Sequence, residues 1–113
     1  MREICLVRLD QTRPALVLTR QAARGAMTTV TVAPITSTIK GLSSEVLVGP
    51  DNGLDHECAV SLDNVLTVPV GALGRTVGYL SGEQEAQLAR AGVLAYDLEV
   101  ALLDQRRRAL RGE

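Results

Sequence analysis

The chain has 113 residues, 46% hydrophobic and 22% charged, with a formal net charge of −1, so it has room for one domain and is too apolar to stay disordered. No apolar run reaches the ~18 residues that span a bilayer, and Arg2, Glu3, Arg8 and Asp10 interrupt the stretch where a signal peptide needs unbroken apolar sequence, so a cytoplasmic protein without membrane contact is expected. Two cysteines, Cys5 and Cys58, at no metal-ligand spacing predict neither a structural zinc nor a disulfide framework.

Residues 4–9, Ile-Cys-Leu-Val-Arg-Leu, and residues 15–19, Ala-Leu-Val-Leu-Thr, predict two strands on a tight connection, with Pro14 at the entry of the second because it cannot donate to a ladder. After a polar turn around residues 21–26, the alternation Thr28-Thr29-Val30-Thr31-Val32-Ala33 predicts a strand with one wet and one dry face, closed by Pro34. A Ser/Thr-rich connection over residues 35–40 ends at Gly41, and Glu45-Val46-Leu47-Val48 predicts the next strand. Gly49-Pro50-Asp51-Asn52-Gly53 is a turn, with Asn52-Gly53 suited to positive φ. Residues 58–62, 64–68 and 75–80 predict three more short strands, so a barrel or sandwich is expected.

The period changes at Ser81-Gly82-Glu83-Gln84, which has the form of a capping box, and a helix is predicted from there to about Tyr96. Residues 97–103 are apolar enough to pack as a further helical turn or a flap. Beyond them lie four arginines, Arg106, Arg107, Arg108 and Arg111, in a basic tail that is either loose or phosphate-contacting. With no Phe or Trp and only Tyr79 and Tyr96, the core must be built from Val, Leu, Ile and Ala; a chain of this size buries only ~60–70% of its unfolded surface, so a homodimer is expected.

Charge is unevenly placed: residues 1–40 carry six basic and two acidic groups, +4, whereas residues 41–63 carry five acidic groups and no basic one, −5. A positive first third suits a phosphate backbone, although scattered solvated arginines would give the same count. The single histidine, His56, sits between Asp55 and Glu57 and reads as a surface residue. Its distance from Cys58 along one strand face is too great for a short hydrogen bond between nucleophile and base. Asp51, Asp55, Glu57 and Asp63 could pair as metal-holding carboxylates but read more simply as a solvated loop. Two segments resist explanation by folding alone. Arg13 is held at a strand entrance by Pro14, and Thr36-Ser37-Thr38-Ile39-Lys40-Gly41 gathers hydroxyls and a cation on a stiff connection. A guanidinium that forks onto a phosphate and small hydroxyl donors are what a phosphodiester site needs.

Arg13-Pro14-Ala15-Leu16-Val17-Leu18-Thr19, then Val32-Ala33-Pro34-Ile35-Thr36-Ser37-Thr38-Ile39-Lys40-Gly41, then Glu45-Val46, resembles the MazF/PemK toxins of toxin-antitoxin systems. Ser61-Leu62-Asp63-Asn64-Val65 and Gly74-Arg75-Thr76-Val77-Gly78-Tyr79-Leu80-Ser81 extend the resemblance in register over roughly residues 3–96. It implies a mainly β chain with a C-terminal helix, an SH3-like twisted β-barrel assembled as a homodimer with an RNA groove at the interface. On that reading residues 1–103 form a single domain and residues 104–113 a basic tail that inherits nothing. It also implies sequence-specific cleavage of single-stranded RNA without metal or cofactor, leaving 2′,3′-cyclic phosphate and 5′-hydroxyl ends, restrained by a cognate MazE-like antitoxin with an acidic C-terminal segment. Carried over residue by residue, Arg13 and Thr36 are catalytic; Ser37, Thr38 and Lys40 border the groove; and Asp63 with Asn64 occupies the family's polar strand position beside it. The alternative is a CcdB-type toxin of the same architecture that binds DNA gyrase without cutting RNA. The opening Arg2-Glu3-Ile4-Cys5 departs from the family in lacking a ring, and the connection Asp10-Gln11-Thr12 is shorter than in many relatives.

Overall fold

In the computed structural model, which describes residues 2–96, valine-rich segments pair into one curled antiparallel sheet. Strand β1 (Glu3–Arg8) turns back into β2 (Thr12–Val17), with Ile4 opposite Leu16 and Val7 opposite Arg13. One helical turn, α1 (Gln21–Arg24), leads into β3 (Thr29–Thr36). The chain then forms β4 (Glu45–Val48), β5 (Cys58–Ser61), β6 (Leu66–Pro69) and β7 (Leu73–Tyr79), before the closing helix α2 (Gly82–Ala95).

Strand β3 is the keel. Its residues 32–34 pair with β2 on one edge, and Val32 is bonded on its other edge to Leu66 of β6. Where β6 leaves, β5 takes over, pairing Ile35 with Val60 and Thr36 with Ala59. The path runs β4-β5-β3-β2-β1-β7 with β6 attached to β3, and its ends β4 and β7 do not pair with each other. The sheet is therefore a curled half-barrel, the form the expected twisted β-barrel takes here.

Alternation along the strands sorts the apolar side chains into two cores. On one face Ile4, Leu16, Ala33, Ile35, Val46, Val60 and Leu80 pack against Ala91 of α2. On the other, Cys5, Val7, Ala15, Val17, Val30, Val32 and Val68 form a second cluster. Ile4 and Leu16 are fully buried and should stabilise the fold by about 1.5–3 kcal/mol each.

Helix α2 starts where the capping box predicts. Ser81 Oγ accepts the Gln84 N–H at 3.1 Å, and Gln84 Oε1 accepts the Ser81 N–H at 3.0 Å. Gln84 also reaches the turn before β5, where buried Asn52 donates to Gln84 Oε1 at 2.6 Å and to the Tyr79 carbonyl at 2.9 Å. Asn52 Oδ1 accepts the Gly49 N–H at 3.0 Å and Gln84 Nε2 at 3.1 Å. The turn closes in the left-handed region at Gly53, φ 86°, and lies so near β7 that a Cβ on Gly53 would stand 1.9 Å from the Val77 carbonyl oxygen. Arg24 of α1 pairs with Glu3 and anchors that turn to β1.

Three boundaries differ from the sequence expectation. Strand β2 begins at Thr12, so Pro14 lies inside it, opposite Leu6, although the ladder to β3 starts only at Ala15. Pro34 does not close β3, because Ile35 is buried and bonded to β5, which carries the strand on to Thr36. Asp63 and Asn64 stand on a 3-10 turn (Leu62–Asn64), not on a strand, since β6 begins only at Leu66. The expectations for residues 97–103 and for the basic tail lie outside the described residues.

Candidate active site

The β2–β3 register, Ala15 opposite Pro34 and Val17 opposite Val32, when continued two residues beyond its last bonded pair, sets Arg13 across from Thr36. Directly opposed residues of an antiparallel pair have Cα atoms about 4.5–5.5 Å apart and project to one face. That face is the one carrying Ala15, Val17 and Val32, turned away from α2. Arg13 is further held by its pairing with Val7 and by Pro14, which confines the preceding backbone to extended conformations. Its Nη2 donates to Gln11 Oε1 at 3.3 Å, and among the described residues it enters no ion pair.

Thr36 ends β3 half-buried, and its Oγ1 accepts the Thr38 N–H at 3.1 Å. It opens onto a cavity of about 590 Å³ lined by Pro34, Thr36, Thr38, Lys40, Leu42, Glu45, Ser61, Asp63 and Asn64. Five of the seven sequence-predicted residues are thus gathered in one hollow. Arg13 stands beside it by register, and Ser37 is exposed on the connection without lining it.

Sequence reasoning missed Glu45, Ser61 and Ser44. Glu45 opens β4 opposite Ser61, and both fall on the Thr36 face because Ser61 lies two residues from Ala59, the partner of Thr36. Glu45 Oε1 accepts the N–H groups of Lys40 at 3.2 Å and Leu42 at 3.0 Å. Asp63 accepts from the Ser44 hydroxyl, and Asn64 Nδ2 donates to Ser61 Oγ at 2.8 Å. Both carboxylates at the hollow are therefore engaged by protein donors, and among the described residues neither Arg13 nor Lys40 enters an ion pair. The only signal for this in the sequence was the lone charge of Glu45 at the start of an otherwise apolar β4.

The remaining titratable groups assemble elsewhere. His56 is bonded to Asp55, and both side chains are exposed. Among the described residues no three or more His, Cys, Asp or Glu side chains gather into a group that could hold a metal ion. A larger hollow of about 1080 Å³ between α2 and β4, lined by Leu47, Tyr79, Gln87 and Leu94, carries none of the sequence-predicted residues. Among the described residues no helix is long and apolar enough to cross a membrane.

A curled antiparallel half-barrel with one closing helix, bearing an arginine and a hydroxyl-rich hollow on its helix-free face, defines the class. A family model described as PemK-like, MazF-like toxin of type II toxin-antitoxin system matches residues 2–92, and the chain belongs to that family. Endoribonuclease MazF3 of Mycobacterium tuberculosis is 50% identical over 99 residues, covering 88% of this chain and 96% of that protein. Probable endoribonuclease MazF5 of the same organism is 37% identical over 86 residues, 75% of this chain and 79% of that one. Among solved structures, the Mycobacterium tuberculosis toxin MazF-mt6 has a TM-score of 0.84 at 50% identity, over 87% of this chain and 99% of its own. The fold is also that of a mycobacterial endoribonuclease solved in complex with its cognate antitoxin, with a TM-score of 0.77 at 21% identity over 86% of this chain and 93% of that one.

Proposed function

We propose that this chain is a cytoplasmic endoribonuclease toxin that cuts single-stranded RNA in a preferred sequence context without a metal ion. Two copies form the RNA groove between them, and a cognate antitoxin with an acidic segment competes for it. The single observation that supports this reading is the β2–β3 register, which, continued two residues past Ala15–Pro34, sets Arg13 across from Thr36, a residue lining the hollow with Thr38, Lys40, Asp63 and Asn64. The names of the relatives, endoribonucleases and MazF toxins, favour it over gyrase binding.

Cleavage is a transesterification: the ribose 2′-hydroxyl gives up its proton to water as its oxygen bonds to the adjacent phosphorus, a phosphorane with added negative charge forms, and the bond from phosphorus to the 5′-oxygen breaks as that oxygen takes a proton from water. The products are a 2′,3′-cyclic phosphate and a 5′-hydroxyl. Arg13, charged at any physiological pH, stabilises the phosphorane by forked donation to its non-bridging oxygens. A preorganised donor aimed at such charge contributes about 3–4 kcal/mol. Thr36 donates its hydroxyl to a non-bridging oxygen while its Oγ1 keeps the Thr38 N–H. Lys40 meets a flanking phosphate, and the amide and carboxylate of Asn64 and Asp63 face an unstacked base. Single-stranded RNA is the substrate class because in-line attack and splayed bases are both resisted by an A-form helix.

The test is cleavage of a single-stranded RNA by the purified chain in excess EDTA, with the ends identified chemically. Undiminished cutting with cyclic-phosphate and 5′-hydroxyl ends is expected. A requirement for magnesium, or 5′-phosphate ends, would refute the mechanism, and intact RNA with inhibited gyrase supercoiling would favour the alternative.

A further inference from the structure

We infer that Glu45 is a positioning residue of the RNA site, acting without touching RNA by holding the connection between Thr36 and Leu42 in the shape that presents Lys40 to a phosphate. The inference rests on the reading of Thr36 and Lys40 just given. Residues 37–43 are all exposed, and none belongs to either apolar core. What holds them is a short set of hydrogen bonds, and most converge on Glu45.

Gly41 has φ 73°, in the left-handed region, where a residue with a side chain is strained. This turns the amides on either side of it, those of Lys40 and Leu42, toward one point, the kind of concavity of successive N–H groups that binds anions. The anion found there is internal. Glu45 Oε1 accepts from Lys40 at 3.2 Å and Leu42 at 3.0 Å, with Oε2 also 3.4 Å from the Lys40 nitrogen. Glu45 is itself fixed at the start of β4, its N–H donating to the Leu42 carbonyl at 3.1 Å and its backbone paired with Ser61. The carboxylate thus joins the exposed connection to the sheet, while its charge is directed at protein amides rather than at repelling RNA.

The experiment measures binding of a single-stranded RNA carrying a 2′-deoxy group at the scissile position, as a function of salt. Lys40→Ala should weaken binding about tenfold and lower the salt slope by about 0.7, the value for one phosphate contact on a single strand. Glu45→Ala should reproduce both effects, and Glu45→Gln, which keeps an acceptor oxygen, should stay within about twofold of the parent. In the Lys40→Ala background Glu45→Ala should add nothing, the signature of one residue acting through the other. Gly41→Ala, which meets no atom within 4 Å but strains the left-handed backbone, should also mimic Lys40→Ala, so the inference stays testable if Glu45→Ala folds poorly. Additive effects of Glu45→Ala and Lys40→Ala would overturn it. So would tighter binding by both Glu45→Ala and Glu45→Gln, which would make Glu45 a simple repulsive charge. Weak binding by Lys40→Ala with normal binding by Glu45→Ala overturns this inference alone. Normal binding and salt slope in Lys40→Ala overturn the site reading together with it.

Discussion

Replacing Arg13 with alanine separates chemistry from folding more cleanly than any other change in the chain. The side chain is exposed and its hydrogen bond to Gln11, at 3.3 Å, is a surface contact. Exposed substitutions of this kind shift stability by no more than about 0.5 kcal/mol, so thermal unfolding should be unchanged to within a few degrees. The chemical step should suffer far more. Losing a donor aimed at the developing phosphorane charge removes about 2.7–4 kcal/mol of transition-state stabilisation, a fall of about 10²–10³ in rate. Single-turnover cleavage of an end-labelled single-stranded RNA, with enzyme in excess, reads that rate without interference from product release. Arg13→Lys, which keeps the charge but loses the fork, should fall between the parent and Arg13→Ala. Cleavage by Arg13→Ala within about threefold of the parent would refute the assigned role, and a large loss of thermal stability alongside a lost rate would move the explanation from chemistry to fold.

Asn52→Ala should act in the opposite sense. It strands the Tyr79 carbonyl and the Gly49 N–H and unties Gln84, costing about 2–3 kcal/mol and lowering the melting temperature by about 10 °C or more; a scanning-calorimetry midpoint within 2 °C or so of the parent would contradict the clasp. Cys58 is 4% exposed, and burial, followed by the neighbouring Asp55 carboxylate, raises its thiol pKa. The folded chain then keeps a proton that the unfolded chain releases, so stability should decline as pH rises from about 8.5. Chemical denaturation at pH 8 to 10 should show that decline reduced in Cys58→Ala, and an identical slope in the two proteins would refute the assignment.

Elements whose signal is local were legible in the sequence. The Ser81–Gln84 capping box set the start of α2 to within a residue, and the Thr/Val alternation identified β3, because both depend on neighbours along the chain. What misled the reading was proline. Pro34 looks like a terminator from local rules, yet β3 continues because β5 offers Ile35 and Thr36 a partner some 24 residues farther along, a non-local fact that no periodicity encodes. The Asp63-Asn64 turn was assigned to a strand for the same reason: a polar pair between apolar runs looks alike whether the backbone is extended or coiled into a 3-10 turn. Of the candidate site, the residue types were legible and their arrangement was not. Glu45 escaped notice because its role lies in two backbone amides, which carry no mark in the amino-acid letters.

The extension of β3 through Pro34 changes what kind of site this is. Had the strand stopped there, Thr36 would sit on a connection with nothing buried to hold it, and its distance from Arg13 would vary with every motion of that connection. Instead Thr36 is bonded to Ala59 on the edge that β6 has vacated, while Arg13, one strand away, is bonded to Val7. The two side chains are spaced by the sheet itself, whose interior at Ile35, Val60 and Leu16 is almost fully buried. Misplacement by about 1 Å can cost a hundredfold in rate, so a ladder end is a better mount for the two groups proposed to act on the phosphate than a free loop. On the proposed reading, the exposed connection after Thr36 carries the groups that follow the RNA backbone. On that reading the site divides into a sheet-mounted pair, Arg13 and Thr36, and a carboxylate-clamped connection, in which the amides flanking Gly41 must meet Glu45 for Lys40 to be presented to a phosphate.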